Sequence, residues 1–256
     1  MKDVNLLINN GVNIKKSMEL FGDMATYDDT LQDFLNDVEN KLSDIKKYKE
    51  ISDMSNYAIL VHSLKSDSKY FGFDKLAELS YQHEMESKKN NVYYVVEHYE
   101  ELITEANRII ALVKKYLNQE SENETISTTK VVEKNQTILV VDDSVVVVNF
   151  IKKIFHDTYH VVVASDGKEA IDFITKDVEH NIVAMLLDLN MPNVDGFEVL
   201  EYFNQNNLFS RIPVSIITGS DEKNTIDRAF SYPIVDMLAK PFNELNVKQI
   251  VEKTIQ

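Results

Sequence analysis

The chain has 256 residues, a formal net charge of −15 and no cysteine, which excludes disulfides and thiolate metal sites. No apolar run approaches the roughly 20 residues needed to span a bilayer, and Lys2 and Asp3 are not followed by a secretory signal core, so neither membrane insertion nor export is expected. None of the segments 1–118, 119–135 and 136–256 is net basic, and no Lys/Arg stripe is interleaved with aromatics, which argues against a nucleic-acid surface.

Residues 1–118 contain no proline and only three glycines, Gly11, Gly22 and Gly72. Leu31, Phe34, Leu35, Val38, Leu42 and Ile45 recur at helical spacing, and similar patterns run through 13–21, 55–71, 75–87 and 92–117. Asn13, Asp23, Ser52, Asp74 and Asn91 are candidate caps between them, with Gly22 and Gly72 as stops. The pattern predicts an all-α antiparallel helix bundle with a short N-terminal helical piece.

One predicted helix departs from simple amphipathicity. Tyr57, Leu60, Val61, Leu64, Ser68 and Phe71 share an apolar face. His62, Lys65, Ser66 and Lys69, at i, i+3, i+4 and i+7, share the opposite one, which is expected to face solvent. An imidazole with a pKa near 6.5 keeps a neutral, nucleophilic nitrogen at cellular pH. Neighbouring lysines would stabilise an added phosphoryl charge, and the small Ser66 would admit a partner backbone. The plain alternative for a surface histidine is that it is merely solvated. His83, His98, His156, His160 and His180 are taken as structural or solvated. The pattern His-x-x-Lys-Ser, followed six residues later by Gly72-Phe73, resembles the histidine-phosphotransfer (HPt) domain, over 1–118 in helix order. That resemblance implies phosphorylation of His62 and a supporting hydrogen bond between the imidazole and Glu84. Ser66 stands where the family often has glycine.

Residues 119–135 are polar, lack core periodicity and are expected to form a linker; a flexible chain of that length spans about 20–25 Å rms. From 137 onward short β-rich runs alternate with helical patterns. Strands are expected near 137–141, 159–164, 182–187, 212–217 and 234–239, and helices near 144–156, 167–178, 196–207, 221–230 and 243–255. Five alternations predict an α/β doubly wound parallel sheet of order 2-1-3-4-5. The valine-rich run after Ser144 has strand propensity, but its place in the alternation makes it a helix.

The strand ends carry the chemistry. Asp142 and Asp143 follow the first strand, Asp188 the third, Thr218 the fourth and Lys240 the fifth, and ligands bind outside the carboxyl ends of such strands. One Asp after a strand is usually a helix cap. Ser144 can take that role, and three converging acids repel one another unless a cation is present. They suit a hard cation such as Mg²⁺ (or Mn²⁺), with Asp188 as nucleophile and Lys240 neutralising phosphoryl oxygens.

Residues 136–256 resemble a response-regulator receiver domain, on Val140-Val141-Asp142-Asp143-Ser144, Leu186 to Pro192 with Asp195-Gly196, Thr218, and Lys240-Pro241-Phe242. The resemblance implies a flavodoxin-like fold and Asp188 as phospho-acceptor. It also implies Mg²⁺ held by Asp142, Asp143, Asp188 and the Asn190 carbonyl, a signalling role for Thr218 and a phosphate contact from Lys240. Met237 stands where receivers usually have Tyr or Phe, so the usual conformational switch is expected to be altered.

Together these features predict a cytoplasmic two-component phosphorelay protein. It would be a phosphotransfer intermediary without an ATP-binding kinase domain, served by a separate histidine kinase and by other receiver or HPt domains, with intramolecular HPt–receiver docking possible. One rival is a phosphorylation-regulated binding module in which His62 is incidental. Another is a phosphate sink, since Asn190 and Ser220 occupy positions that influence hydrolysis in receivers.

Overall fold

The computed structural model describes residues 2–117, 136–177, 181–219 and 223–256. The expected 119–135 linker, His180 and Ser220 lie outside the described residues. The chain divides into two compact units, Met1–Glu133 and Lys134–Gln256.

The N-terminal unit is all-helical: α1 (Val4–Ile8), α2 (Ile14–Phe21), α3 (Met24–Glu50), α4 (Met54–Phe71), α5 (Asp74–Lys88) and α6 (Val92–Leu117). Asn13 and Asp23 accept the N3 amides of Lys16 and Thr26, satisfying donors that the first turn leaves open. Two expected caps move. Ser52 adopts a left-handed φ of 56°, so Asp53 takes the cap of α4 and accepts from the Asn56 amide. Asp74 is the first helical residue of α5, after Phe73. Gly72 ends α4 at φ 71°, and a Cβ there would lie 2.5 Å from the Asn13 carbonyl oxygen; both facts require glycine.

Phe71 is the hub of an aromatic core, with Phe21, Tyr27, Phe34 and Phe73 at ring separations of 5.4–5.7 Å. The Tyr27 hydroxyl donates to the Phe71 carbonyl at 3.2 Å, which satisfies its one polar atom inside that core. α4 is buried at every position from Val61 to Ser68. The solvent-facing stripe expected at His62, Lys65 and Ser66 is therefore corrected: all three are buried and Lys69 is half-buried. The physical reason is a charged partner. Glu84 of α5 takes both His62 and Lys65, as Lys41 of α3 takes Ser63 and Asp67.

The C-terminal unit alternates β1 (Thr137–Val141), α7 (Val145–Phe155), β2 (His160–Ala164), α8 (Gly167–Lys176), β3 (Ile182–Leu187), α9 (Gly196–Gln205), β4 (Val214–Thr218), α10 (Lys223–Ala229), β5 (Met237–Ala239) and α11 (Glu244–Ile255). The sheet is parallel, in the expected order β2-β1-β3-β4-β5. Ile138 to Val141 are fully buried, each contributing about 1.5–3 kcal/mol. A slip of β1 by one residue would forfeit that packing. The valine run is helical because Ser144 caps it, accepting the Val147 amide. β4 starts at Val214, later than expected, because Pro213 has no amide hydrogen for the ladder. Val141 is paired with Leu187, and Leu187 with Ile216, so the residues that follow β1 and β3 emerge at one level.

Candidate functional site

That register brings Asp142, Asp143 and Asp188 together: one ligand oxygen from each lies within 4.8 Å of the others. Asp142, Asp188 and Thr218 are buried, Asp143 half-buried. The ammonium of Lys240 sits 2.6 Å from Asp142 Oδ2 and 2.5 Å from Asp188 Oδ2. The Ser144 amide donates to Asp142 Oδ1 at 2.9 Å and the Asn190 amide to Asp188 Oδ1 at 3.2 Å. The Lys240 amide donates to the Thr218 carbonyl, tying the end of β5 to that of β4.

Burial pushes the Asp142 carboxyl above the usual range; Lys240 opposes that shift, and the charges of Asp188 and Asp143 add to it. Burial works against the Lys240 ammonium, but Asp142 and Asp188 outweigh it and hold its pKa above the ordinary lysine value. Three carboxyl groups beside one ammonium make a pocket of oxygen donors. That donor set fits a hard divalent cation. Gly196 keeps the Asp188 backbone in place: a Cβ there would overlap the Asp188 carbonyl oxygen and come within 2.7 Å of the Leu189 Cα. Met237 is half-buried and packs against the sheet core with no aromatic ring to move.

The second cluster lies between α4 and α5. His62 Nδ1 is 2.7 Å from Glu84 Oε1, Lys65 Nζ is 2.7 Å from Glu84 Oε2, and Lys88 Nζ is 2.9 Å from Glu84 Oε1. Burial raises the Glu84 pKa, but the His62 hydrogen bond and Lys65 outweigh it and hold it well below the carboxylate range. A carboxylate can only accept, so Nδ1 of His62 carries the hydrogen and the lone pair belongs to Nε2. With Nδ1 so occupied, Lys65 at 3.3 Å is held by Glu84, not by the imidazole. His62 Nε2 and the Ser66 hydroxyl are buried, with no hydrogen-bond partner among the described residues. Lys88 was not apparent from sequence; its only signal is the i+4 step from Glu84 along α5.

His83 has a structural place. It accepts from the Tyr57 hydroxyl at Nδ1 (2.7 Å) and donates from Nε2 to the His98 carbonyl (3.3 Å). Burial pulls its pKa down to about 4.

Residues 138–252 match the response regulator receiver domain family. Curated relatives include the two-component response regulator ORR3 of Oryza sativa subsp. indica, 27% identical over 51% of this chain and 98% of its own length. Response regulator RR06 of Streptococcus pneumoniae is 36% identical over 44% of this chain and 50% of its length. The two-component response regulator-like PRR37 of Oryza sativa subsp. indica is 28% identical over 37% of this chain, which spans only 13% of that protein. Solved structures include the receiver domain of Francisella response regulator 1452, with 29% identity, 47% of this chain and 99% of that one covered, and a TM-score of 0.40. Chemotaxis protein CheY4 of Vibrio cholerae gives 23%, 46%, 98% and 0.42 for the same quantities. The C-terminal unit of this chain is a response regulator receiver domain.

Proposed function

We propose that the chain is a phosphorelay intermediary, moving a phosphoryl group between His62 and an aspartate carboxylate, either its own Asp188 or that of a partner receiver. The observation that supports the step beyond the receiver is the Glu84 contact, which leaves the Nε2 lone pair of His62 available for phosphorus. In the forward direction an Asp188 carboxylate oxygen attacks phosphorus in line, the bond to the donor breaks, and the leaving atom keeps its electron pair. Lys240, already touching Asp188, neutralises the added charge. In the relay step His62 Nε2 forms the P–N bond as the P–O bond to the carboxylate breaks. Asp142, Asp143, Asp188 and the Asn190 carbonyl would hold a Mg²⁺ (or Mn²⁺) ion, which would supply further charge neutralisation of the phosphoryl oxygens.

A separate histidine kinase supplies the phosphoryl group in this reading, and the setting is cytoplasmic. No helix among the described residues is long and apolar enough to cross a membrane. The burial of His62 favours a second reading, in which the receiver acts alone as a regulated binding module and the histidine is structural. One experiment separates them. Full-length His62→Gln, loaded at Asp188 from labelled acetyl phosphate with Mg²⁺, is mixed with full-length Asp188→Asn. Alkali-stable label appearing on the Asp188→Asn chain supports the relay. Label that only hydrolyses, on an acceptor whose His62 takes no phosphoryl from phosphoramidate either, supports the second reading; a His62 that phosphoramidate charges but Asp188 does not directs the relay to a partner receiver.

A further inference from the structure

We infer that Lys88 is a positioning residue that sets how strongly His62 holds a phosphoryl group. The inference rests on the relay reading. Lys88 Nζ and His62 Nδ1 address the same oxygen, Glu84 Oε1, at 2.9 and 2.7 Å, while Lys65 occupies Oε2. The lysines differ in setting. Lys65 is 5% exposed and locked in the cluster, whereas the Lys88 side chain is 35% exposed and reaches in from the last turn of α5.

The consequence follows from the leaving group. When a phosphoryl group departs from His62, the P–Nε2 bond breaks and its electron pair returns to the imidazole ring. The acceptor carboxylate oxygen forms the new P–O bond in the same step. A carboxylate on Nδ1–H makes the ring more basic and strengthens its hold on phosphorus. An ammonium on the same oxygen draws off part of that charge, weakens the Nδ1–H···Oε1 bond and makes the imidazole a better leaving group. Lys88 thus offsets Glu84. Glu84 fixes the tautomer, and Lys88 keeps the resulting phosphohistidine reactive.

The test uses the full chain in an Asp188→Asn background, which removes its own acceptor, with phosphoramidate as donor. Lys88→Met and Lys88→Arg are compared with the unchanged Lys88 chain. Two quantities are read: the His62 imidazole pKa by NMR titration, and the lifetime of the phosphohistidine. Lys88→Met is expected to raise the imidazole pKa by about one unit, the size expected for removal of one nearby cation, and to lengthen the phosphohistidine lifetime several-fold. Lys88→Arg is expected to restore both. A Lys88→Met chain that charges His62 but leaves pKa and lifetime unchanged overturns the role of Lys88 alone, as does failure of arginine to rescue. If the Lys88 chain never carries phosphoryl at His62, the relay reading falls and the role of Lys88 falls with it.

Discussion

Glu84→Gln keeps the shape of the side chain and removes the one negative charge between His62, Lys65 and Lys88. Lys65 and Glu84 are 5% and 1% exposed and 2.7 Å apart, so the amide leaves a buried ammonium without its counter-ion. Removing one partner of such a pair costs about 3–5 kcal/mol. The amide oxygen still accepts a hydrogen bond, which offsets about 1 kcal/mol. The expected net loss is about 3 kcal/mol. For a unit of about 116 ordered residues the unfolding entropy is roughly 0.24 kcal/mol/K, so the bundle should melt about 12 °C lower. There is no tryptophan, and nine of the twelve tyrosines fall within residues 1–117, so near-UV circular dichroism in a urea or thermal series reports mainly the bundle. A loss below about 1 kcal/mol would refute the reasoning, because it would mean the ammonium and carboxylate are hydrated in solution.

Further outcomes follow from other contacts. Burial holds the folded His83 near pKa 4, against 6.5 for a solvated imidazole, so as pH falls the unfolded chain takes up the proton first. Stability from this residue is complete above pH 6.5 and is lost between 6.5 and 4, by about 3 kcal/mol at the limit; His83→Gln should flatten that slope in urea midpoints measured across the window. Gly196→Ala forces the Asp188 carbonyl aside. It should cost the receiver about 2–4 kcal/mol and slow acetyl-phosphate labelling at least tenfold, and unchanged labelling would contradict the close approach. Asp142→Asn removes one of three converging carboxylates. The metal-free chain should melt at the same or a higher temperature, while the rise in Tm produced by Mg²⁺ should disappear; a retained Mg²⁺ effect would place the ion elsewhere.

The receiver was legible because its signals are local. Each buried strand is a short apolar run, and Asp142, Asp188, Thr218 and Lys240 stand at or just after the ends of those runs. The errors there have local causes too: Pro213 shortens β4, and β5 keeps only Met237 to Ala239 as strand. The bundle was legible as helices but not as an environment. Periodicity shows that His62, Lys65, Ser66 and Lys69 share a face; it does not show what that face meets. A polar stripe against solvent and a polar stripe against a buried carboxylate look alike in one helix; only the histidine-phosphotransfer resemblance pointed to Glu84, 22 positions away. Lys88 was hidden for a related reason, since a lysine in a final helical turn is ordinarily accounted for by the helix dipole.

Phosphoryl transfer from Asp188 to His62 can be followed by locating phosphorus on the intact wild-type chain after brief exposure to acetyl phosphate and Mg²⁺. The relay gives an early acyl phosphate at Asp188, followed by an alkali-stable phosphoramidate on Nε2 of His62, the isomer left open by the Glu84 hydrogen bond. An acyl phosphate that decays with no phosphoramidate, on a chain whose His62 also takes none from phosphoramidate or a phosphorylated partner receiver, rules the relay out, as does a phosphoryl group found on Nδ1.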